Sequence, residues 1–199
     1  MGTGHPLRIG LFAFDDVEEL DLVGPYEVLA AWAAMSPLRP EVLIFSPDGA
    51  GVRAAKGLRL LPDTSADEAG DLHVLIHPGG QGTRRLAEDP THLAWLRGLR
   101  PTTPLMASVC TGALPFAAAG LLAGRPATTH WRAFDELAAL DASVLIDTEA
   151  RFVDDGDVVT SAGVSAGIDM ALHLVARLES PAAARDVRRA IQYDPAPPV

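Results

Sequence analysis

Five short runs of β-branched and apolar residues punctuate the chain: Leu7–Ala13, Glu41–Phe45, Leu72–His77, Leu105–Val109 and Asp157–Ser161. Runs this short and this continuously apolar predict strands buried on both faces of a sheet. Between them, apolar positions recur at helical spacing through Leu20–Ala34, Pro90–Leu99, Thr111–Leu122, Trp131–Leu140 and Ser165–Leu178. Strands alternating with helices predict an α/β fold, a mostly parallel central sheet with helices on both faces. Two stretches depart from that alternation. Val52–Leu61 reads as a hairpin turning at Lys56-Gly57, and Ala150–Thr160 as another turning through Asp154-Asp155-Gly156, since both carry the residues that tight turns require. No repeat or long linker divides the chain, so residues 1–199 read as one domain. Residues 190–199 form a Pro-rich tail, ending in Asp194-Pro-Ala-Pro-Pro-Val199 as an extended or frayed arm.

Composition narrows the function classes. A chain of 199 residues with 48% hydrophobic and 21% charged residues has the make-up of a folded domain rather than a disordered one. Its net charge of −10 disfavours nucleic acid and anionic membranes, both of which call for a basic patch. No apolar run reaches the roughly 18 residues of a membrane span, and Met1–Arg8 lacks the pattern of a secretory signal. A single cysteine rules out an internal disulfide and suits a reducing cytoplasm. Zinc is not expected, because no cysteine pair exists and the six histidines are scattered. What remains is one thiol and a small-molecule substrate.

That thiol sits in Pro104-Leu-Met-Ala-Ser-Val-Cys110-Thr-Gly-Ala-Leu-Pro115. An apolar strand runs into Cys110, and small residues open a helix directly after it, the pattern of a nucleophile elbow. Gly112 permits the tight turn. The amino end of the following helix is expected to lower the thiol pKa and favour the thiolate. A buried structural cysteine is the bland alternative; the position at the carboxyl end of a central strand favours the reactive one. His77-Pro78-Gly79-Gly80-Gln81-Gly82 follows another buried strand, so its glycine N–H groups should reach the same sheet edge and cradle developing charge. Asp21, between Leu20 and Leu22, is either a buried carboxylate or a helix-start residue, whereas Glu18 and Glu19 read as solvated. His130 either touches substrate or holds structure. His173 reads as packed or interfacial, and His5, His73 and His92 have no motif around them. Asp169 is expected to satisfy backbone donors near the site, and Trp131 to line a pocket or join the core.

Taken together, Asp21-Leu-Val-Gly-Pro, Pro78-Gly-Gly, Ser108-Val-Cys-Thr-Gly, Ala127-Thr-Thr-His-Trp and Gly163-Val-Ser-Ala-Gly-Ile-Asp169 resemble the ThiJ/PfpI cysteine superfamily, and within it the isonitrile hydratase branch. The resemblance runs from Ile9 into the tail. It implies a flavodoxin-like three-layer sandwich, Cys110 as nucleophile facing the acid Asp21, and Thr111 after the nucleophile, where protease-like members often have histidine. It also implies substrate contacts from Gly79 and Gly80, no cofactor and a homodimer. The expected activity is addition of water to an isonitrile through a cysteine thioimidate. Ligand-sensing domains of AraC-type regulators share some of these motifs, and a stress-related or glyoxal-handling thiol would use the same cysteine. His77 stands where many relatives have an apolar residue, so a more polar pocket wall is expected.

Overall fold

Each of the five apolar runs forms a strand in the structure, a computed structural model in which residues 7–194 are described. In chain order the elements are β1 (Arg8–Phe12), α1 (Glu19–Met35), β2 (Glu41–Ser46), β3 (Val52–Arg53), β4 (Arg59–Leu60), β5 (Thr64–Ser65), β6 (Val74–His77), α2 (Thr83–Glu88) and α3 (Pro90–Leu99). There follow β7 (Leu105–Val109), α4 (Ala113–Ala118), β8 (Pro126–Ala127), α5 (Phe134–Leu140), β9 (Leu145–Ile146), β10 (Phe152–Asp154), β11 (Val158–Ser161), α6 (Ala166–Leu178) and α7 (Pro181–Ala190).

Seven strands make one sheet in the order β10-β11-β7-β6-β1-β2-β5. All neighbours are parallel except β10 and β11, the hairpin expected from Asp154-Asp155-Gly156. The Lys56-Gly57 hairpin is also present as β3–β4, outside the main sheet, and Gly57 takes φ 102° at the turn. Strands β6 and β7 are buried at every position, which explains why they are apolar apart from His77 and Ser108. Helices α1, α6 and α7 pack on one another, as do α2, α3, α4 and α5, giving the two outer layers of a flavodoxin-like sandwich. On α6 the buried positions Ala166, Gly167, Met170, Ala171, Leu174 and Val175 form one stripe at helical spacing.

Several elements differ from expectation, among them the short strands β5, β8 and β9, which no apolar run announced. The helix predicted over Thr111–Leu122 is a 3-10 turn, Cys110–Gly112, followed by the six-residue α4. Helix α2 follows the glycine loop. Helix α7 fills the stretch between the last expected helix and the tail, to which no element was assigned, with Ser180 accepting the Ala183 N–H and Pro181 in the first turn, a start signal in plain view. Residues 1–6 and 195–199, including most of the proline arm, lie outside the described residues. Among the described residues no helix is long and apolar enough to cross a membrane.

Candidate active site

Strand β7 lies between β6 and β11, so the residues that follow these three parallel strands meet at one edge. Cys110 comes directly after β7 with φ 57°, a left-handed conformation that costs a non-glycine residue energy and needs support from its surroundings. Two bonds supply that support. The Cys110 N–H donates to the Ala162 carbonyl at 3.3 Å, and the Thr129 hydroxyl donates to the Cys110 carbonyl at 2.7 Å. A side chain at Gly112 would overlap the His77 carbonyl, so the elbow and the β6 loop pack backbone to backbone.

Asp21 reaches the thiol from α1 and is fully buried. Its Oδ2 accepts the Gly79 N–H at 3.1 Å, while Oδ1 has no aligned donor. Burial is the main cause that raises its pKa to about 7; the Glu18 charge adds to this, and the Cys110 and Gly79 donors oppose it. Cys110, only 6% exposed, has its thiol pushed up to about 12 by burial and then by the Asp21 charge, against N–H groups of Thr111 and Val164 that favour the thiolate. The expectation of a lowered thiol pKa is therefore overturned. The thiol faces a buried carboxyl rather than solvent, and one turn of 3-10 helix cannot outweigh that. Taken as a coupled pair, the two groups share one proton between about 7 and about 12. The higher value places that proton on sulfur, with Asp21 as the anion; its transfer to Asp21 leaves a thiolate held by the Thr111 and Val164 N–H groups.

The glycine loop is pinned against the start of α1. Val17 and Gly80 form a bridge, and the Glu18 N–H donates to the Gly79 carbonyl at 2.9 Å. Gly80, at φ 132°, does not turn its N–H toward an open site as anticipated. That N–H donates to Thr111 Oγ1 at 2.9 Å, because the loop closes onto the residue after the elbow. Thr83 Oγ1, 3.0 Å from Thr111 Oγ1, completes the contact. The backbone donors at the sulfur are those of Thr111 and Val164 instead.

A cleft of about 370 Å³ opens above Cys110 and Thr111, with Glu18, Lys56, Arg84 and His130 on its walls. Glu18 and Glu19, read from sequence as solvated, keep only 19% and 17% of their side chains exposed. Glu18 pairs with Lys56, and Glu19 accepts the Lys56 N–H at 2.7 Å, which docks the β3–β4 turn beside the cleft. His130 lines the cleft above Gly163, where any side chain would overlap its ring. Its Nδ1 accepts the Arg132 N–H at 3.2 Å, so the neutral ring carries its proton on Nε2. Burial, then Arg132 and Arg84, lower its pKa and keep it neutral.

Other expectations fail at this edge. His77 is fully buried beneath the loop and is no part of the cleft wall. Trp131, 65% exposed, neither lines the cleft nor joins the core; Arg132 stacks on it at 4.7 Å. Among the described residues Asp169 takes side-chain partners and no backbone donor: it pairs with Arg151 and accepts the Tyr193 hydroxyl at 3.0 Å. His173, by contrast, is packed as expected: it lies on Phe152 and bonds Asp154 at 2.7 Å. Among the described residues, no cluster of three or more histidine, cysteine or acidic side chains is placed to hold a metal. Val164 and Thr129 went unnoticed as site residues, since both arrive from sequence-distant loops and one contributes only backbone.

Comparison with known proteins places this arrangement. The profile of the DJ-1/PfpI family matches residues 7–177. Over 192 residues the chain is 40% identical to the isonitrile hydratase of Pseudomonas putida, covering 96% of this chain and 81% of the hydratase. It is 33% identical over 176 residues to the HTH-type transcriptional regulator GbdR of Pseudomonas aeruginosa, covering 87% of this chain and 47% of the regulator. The crystal structure of a THiJ/PfpI family protein from Pseudomonas syringae superposes with a TM-score of 0.88 at 34% identity, covering 98% of this chain and 78% of that one. With the elbow cysteine, the parallel sheet and the matched sequence all in agreement, the chain belongs to the DJ-1/PfpI family.

Proposed function

We propose that the chain is an isonitrile hydratase-type enzyme, with Cys110 as nucleophile and Asp21 as acid. The observation that carries this reading is the buried Asp21 carboxyl set against the buried Cys110 thiol at the sheet edge, where burial raises the carboxyl to about 7. The similarity to the Pseudomonas putida hydratase supports an isonitrile as the electrophile. The Cys110 sulfur attacks the terminal carbon of R–N≡C while Asp21 delivers its proton to that carbon, giving the thioimidate R–N=CH–S–Cys110. Water then adds to the same carbon. The C–S bond breaks, the formamide R–NH–CHO leaves, and the pair regains its proton. Thr111 and Val164 N–H groups hold charge on the sulfur before attack and after release, and the Thr111 hydroxyl is fixed by Gly80. His130 contributes a donor, Nε2–H, to the substrate cleft.

Detection of the formamide from cyclohexyl isonitrile, with wild type beside Cys110→Ala, tests the reading. Turnover by wild type alone is the expected result. Equal turnover by Cys110→Ala would remove the covalent scheme. A ligand-sensing role is the second reading, favoured by the match to a transcriptional regulator across 87% of this chain. Tight, saturable ligand binding with no product would favour it.

A further inference from the structure

His77 and His92 form a buried pair that the mechanism above does not use. The His77 Nδ1 lies 2.9 Å from the Pro78 carbonyl oxygen, which can only accept, so Nδ1 carries a hydrogen. Burial, with His92 alongside, keeps the His77 ring neutral, which leaves its Nε2 bare. That nitrogen is 3.0 Å from His92 Nε2, which must therefore donate. Aromatic rings hold the pair in place: Phe12, Phe14 and Phe116 contact His77, and Phe12 and Trp95 contact His92.

The Pro78–Gly79 peptide is trans, so its carbonyl and its N–H point to opposite sides. The oxygen faces His77, and the hydrogen on the other side is the one donated to Asp21 Oδ2. A continuous chain thus runs from His92 through His77 and one peptide plane to the carboxyl beside Cys110. We propose that His77 is a positioning residue of the site: its Nδ1–H, oriented by His92, fixes the Pro78–Gly79 peptide so that the Gly79 N–H stays on Asp21. Polarisation along such a chain also strengthens its last bond. The inference rests on the Asp21–Cys110 pair being the reactive one.

The groups that set the proton on this pair are few. Glu18 and Lys56 face Asp21 from the start of α1 and the hairpin, and Asp89 acts on His92 from the start of α3. Without the His77 donor the carboxylate is less well held, so the pair gives up its first proton at higher pH. Because Cys110 is the sole cysteine, alkylation of the whole chain by iodoacetamide reads this directly and needs no isonitrile. In wild type the rate should rise in two steps, a first with a midpoint near 7, where the pair gives up one proton and the transferred form appears, and a second toward 12 as the thiol itself ionises. His77→Leu should move the first midpoint upward by about half a unit to one unit. His77→Asn, whose Nδ2 takes the place of Nδ1, should restore it. His92→Phe should shift it in the same direction as His77→Leu, and it serves as the reporter should His77→Leu not fold. An unchanged midpoint in a folded His77→Leu or His92→Phe protein, or equal shifts with leucine and asparagine, would overturn the proposal. A wild-type profile with no midpoint near 7 would remove its premise. Lack of isonitrile turnover with these profiles intact would count against the hydratase reading alone.

Discussion

Gly79 and Gly98 differ in what a methyl group would meet. At Gly79 a Cβ would lie 2.6 Å from the Thr111 nitrogen and 2.7 Å from Asp21 Oδ2, whereas at Gly98 nothing lies within 4 Å. Gly79→Ala must therefore push apart the elbow and the carboxyl, two parts of the site that work only together. We expect turnover to fall by about 100-fold or more, the usual consequence of displacing reacting groups by an ångström, with the circular dichroism spectrum retained. Gly98→Ala, on the exposed face of α3, should keep activity and gain up to ~1 kcal/mol of stability from helix propensity. Rates and melts of the two variants side by side check both outcomes. At this scale the sequence was informative about identity and poor about environment. Cys110 and the glycine loop are legible because strand ends and turn residues announce them, whereas the local sequence leaves Asp21 open and only the family resemblance singles it out. The direction of the thiol shift is not, since it depends on how deeply distant segments bury the sulfur.

At the scale of elements, the tie between α1 and α6 depends on one carboxylate. Glu179, just past the end of α6, accepts the Trp32 indole N–H at 2.6 Å and the Ser36 hydroxyl at 2.5 Å, both at the end of α1. Trp32 is 1% exposed, so deleting its partner leaves a buried donor unpaired. Glu179→Ala should destabilise the chain by about 2 kcal/mol, measured by urea unfolding, without altering turnover, because neither helix end approaches the cleft. A loss below ~0.5 kcal/mol would mean that solvent replaces the carboxylate. Strands and the longer helices could be read from periodicity because burial on two faces, or along one stripe, dictates the residue pattern. Helix α7 escaped because its single buried residue, Val187, leaves almost no apolar period, although its Ser180 cap and Pro181 were visible. The over-long helix after Cys110 had the opposite cause: an apolar run continues past α4, yet the backbone turns at Ala119-Gly120, where Gly120 takes φ 78°.

Across the whole molecule, the sandwich buries titratable groups whose effects on stability oppose one another. Asp21 is raised from 3.8 to about 7 in the fold. The unfolded chain therefore loses that proton first, and stability falls as pH rises from about 4 to about 7. The shift of roughly three units corresponds to at most ~4 kcal/mol. Cys110, raised from 9.0 to about 12, adds a second fall over that higher range. His77 and His92 are lowered from 6.5 to about 3 and about 4. The unfolded chain binds those protons first, so their contribution is lost as pH drops below 6.5. Wild-type stability should thus be limited by the histidines on the acid side and by the Asp21–Cys110 pair on the alkaline side. Asp21→Asn separates the two, since asparagine can still accept the Gly79 N–H but never ionises. Urea unfolding at a series of pH values should show the variant gaining on wild type steadily from about 4 to about 7, while the loss from the histidines as pH falls from about 6.5 to about 3 is the same in both. Parallel curves would mean that Asp21 titrates as it does in the unfolded chain. The carboxyl would then be ionised around neutral pH with no proton held for transfer, and the acid role assigned to it would fall along with the stability argument.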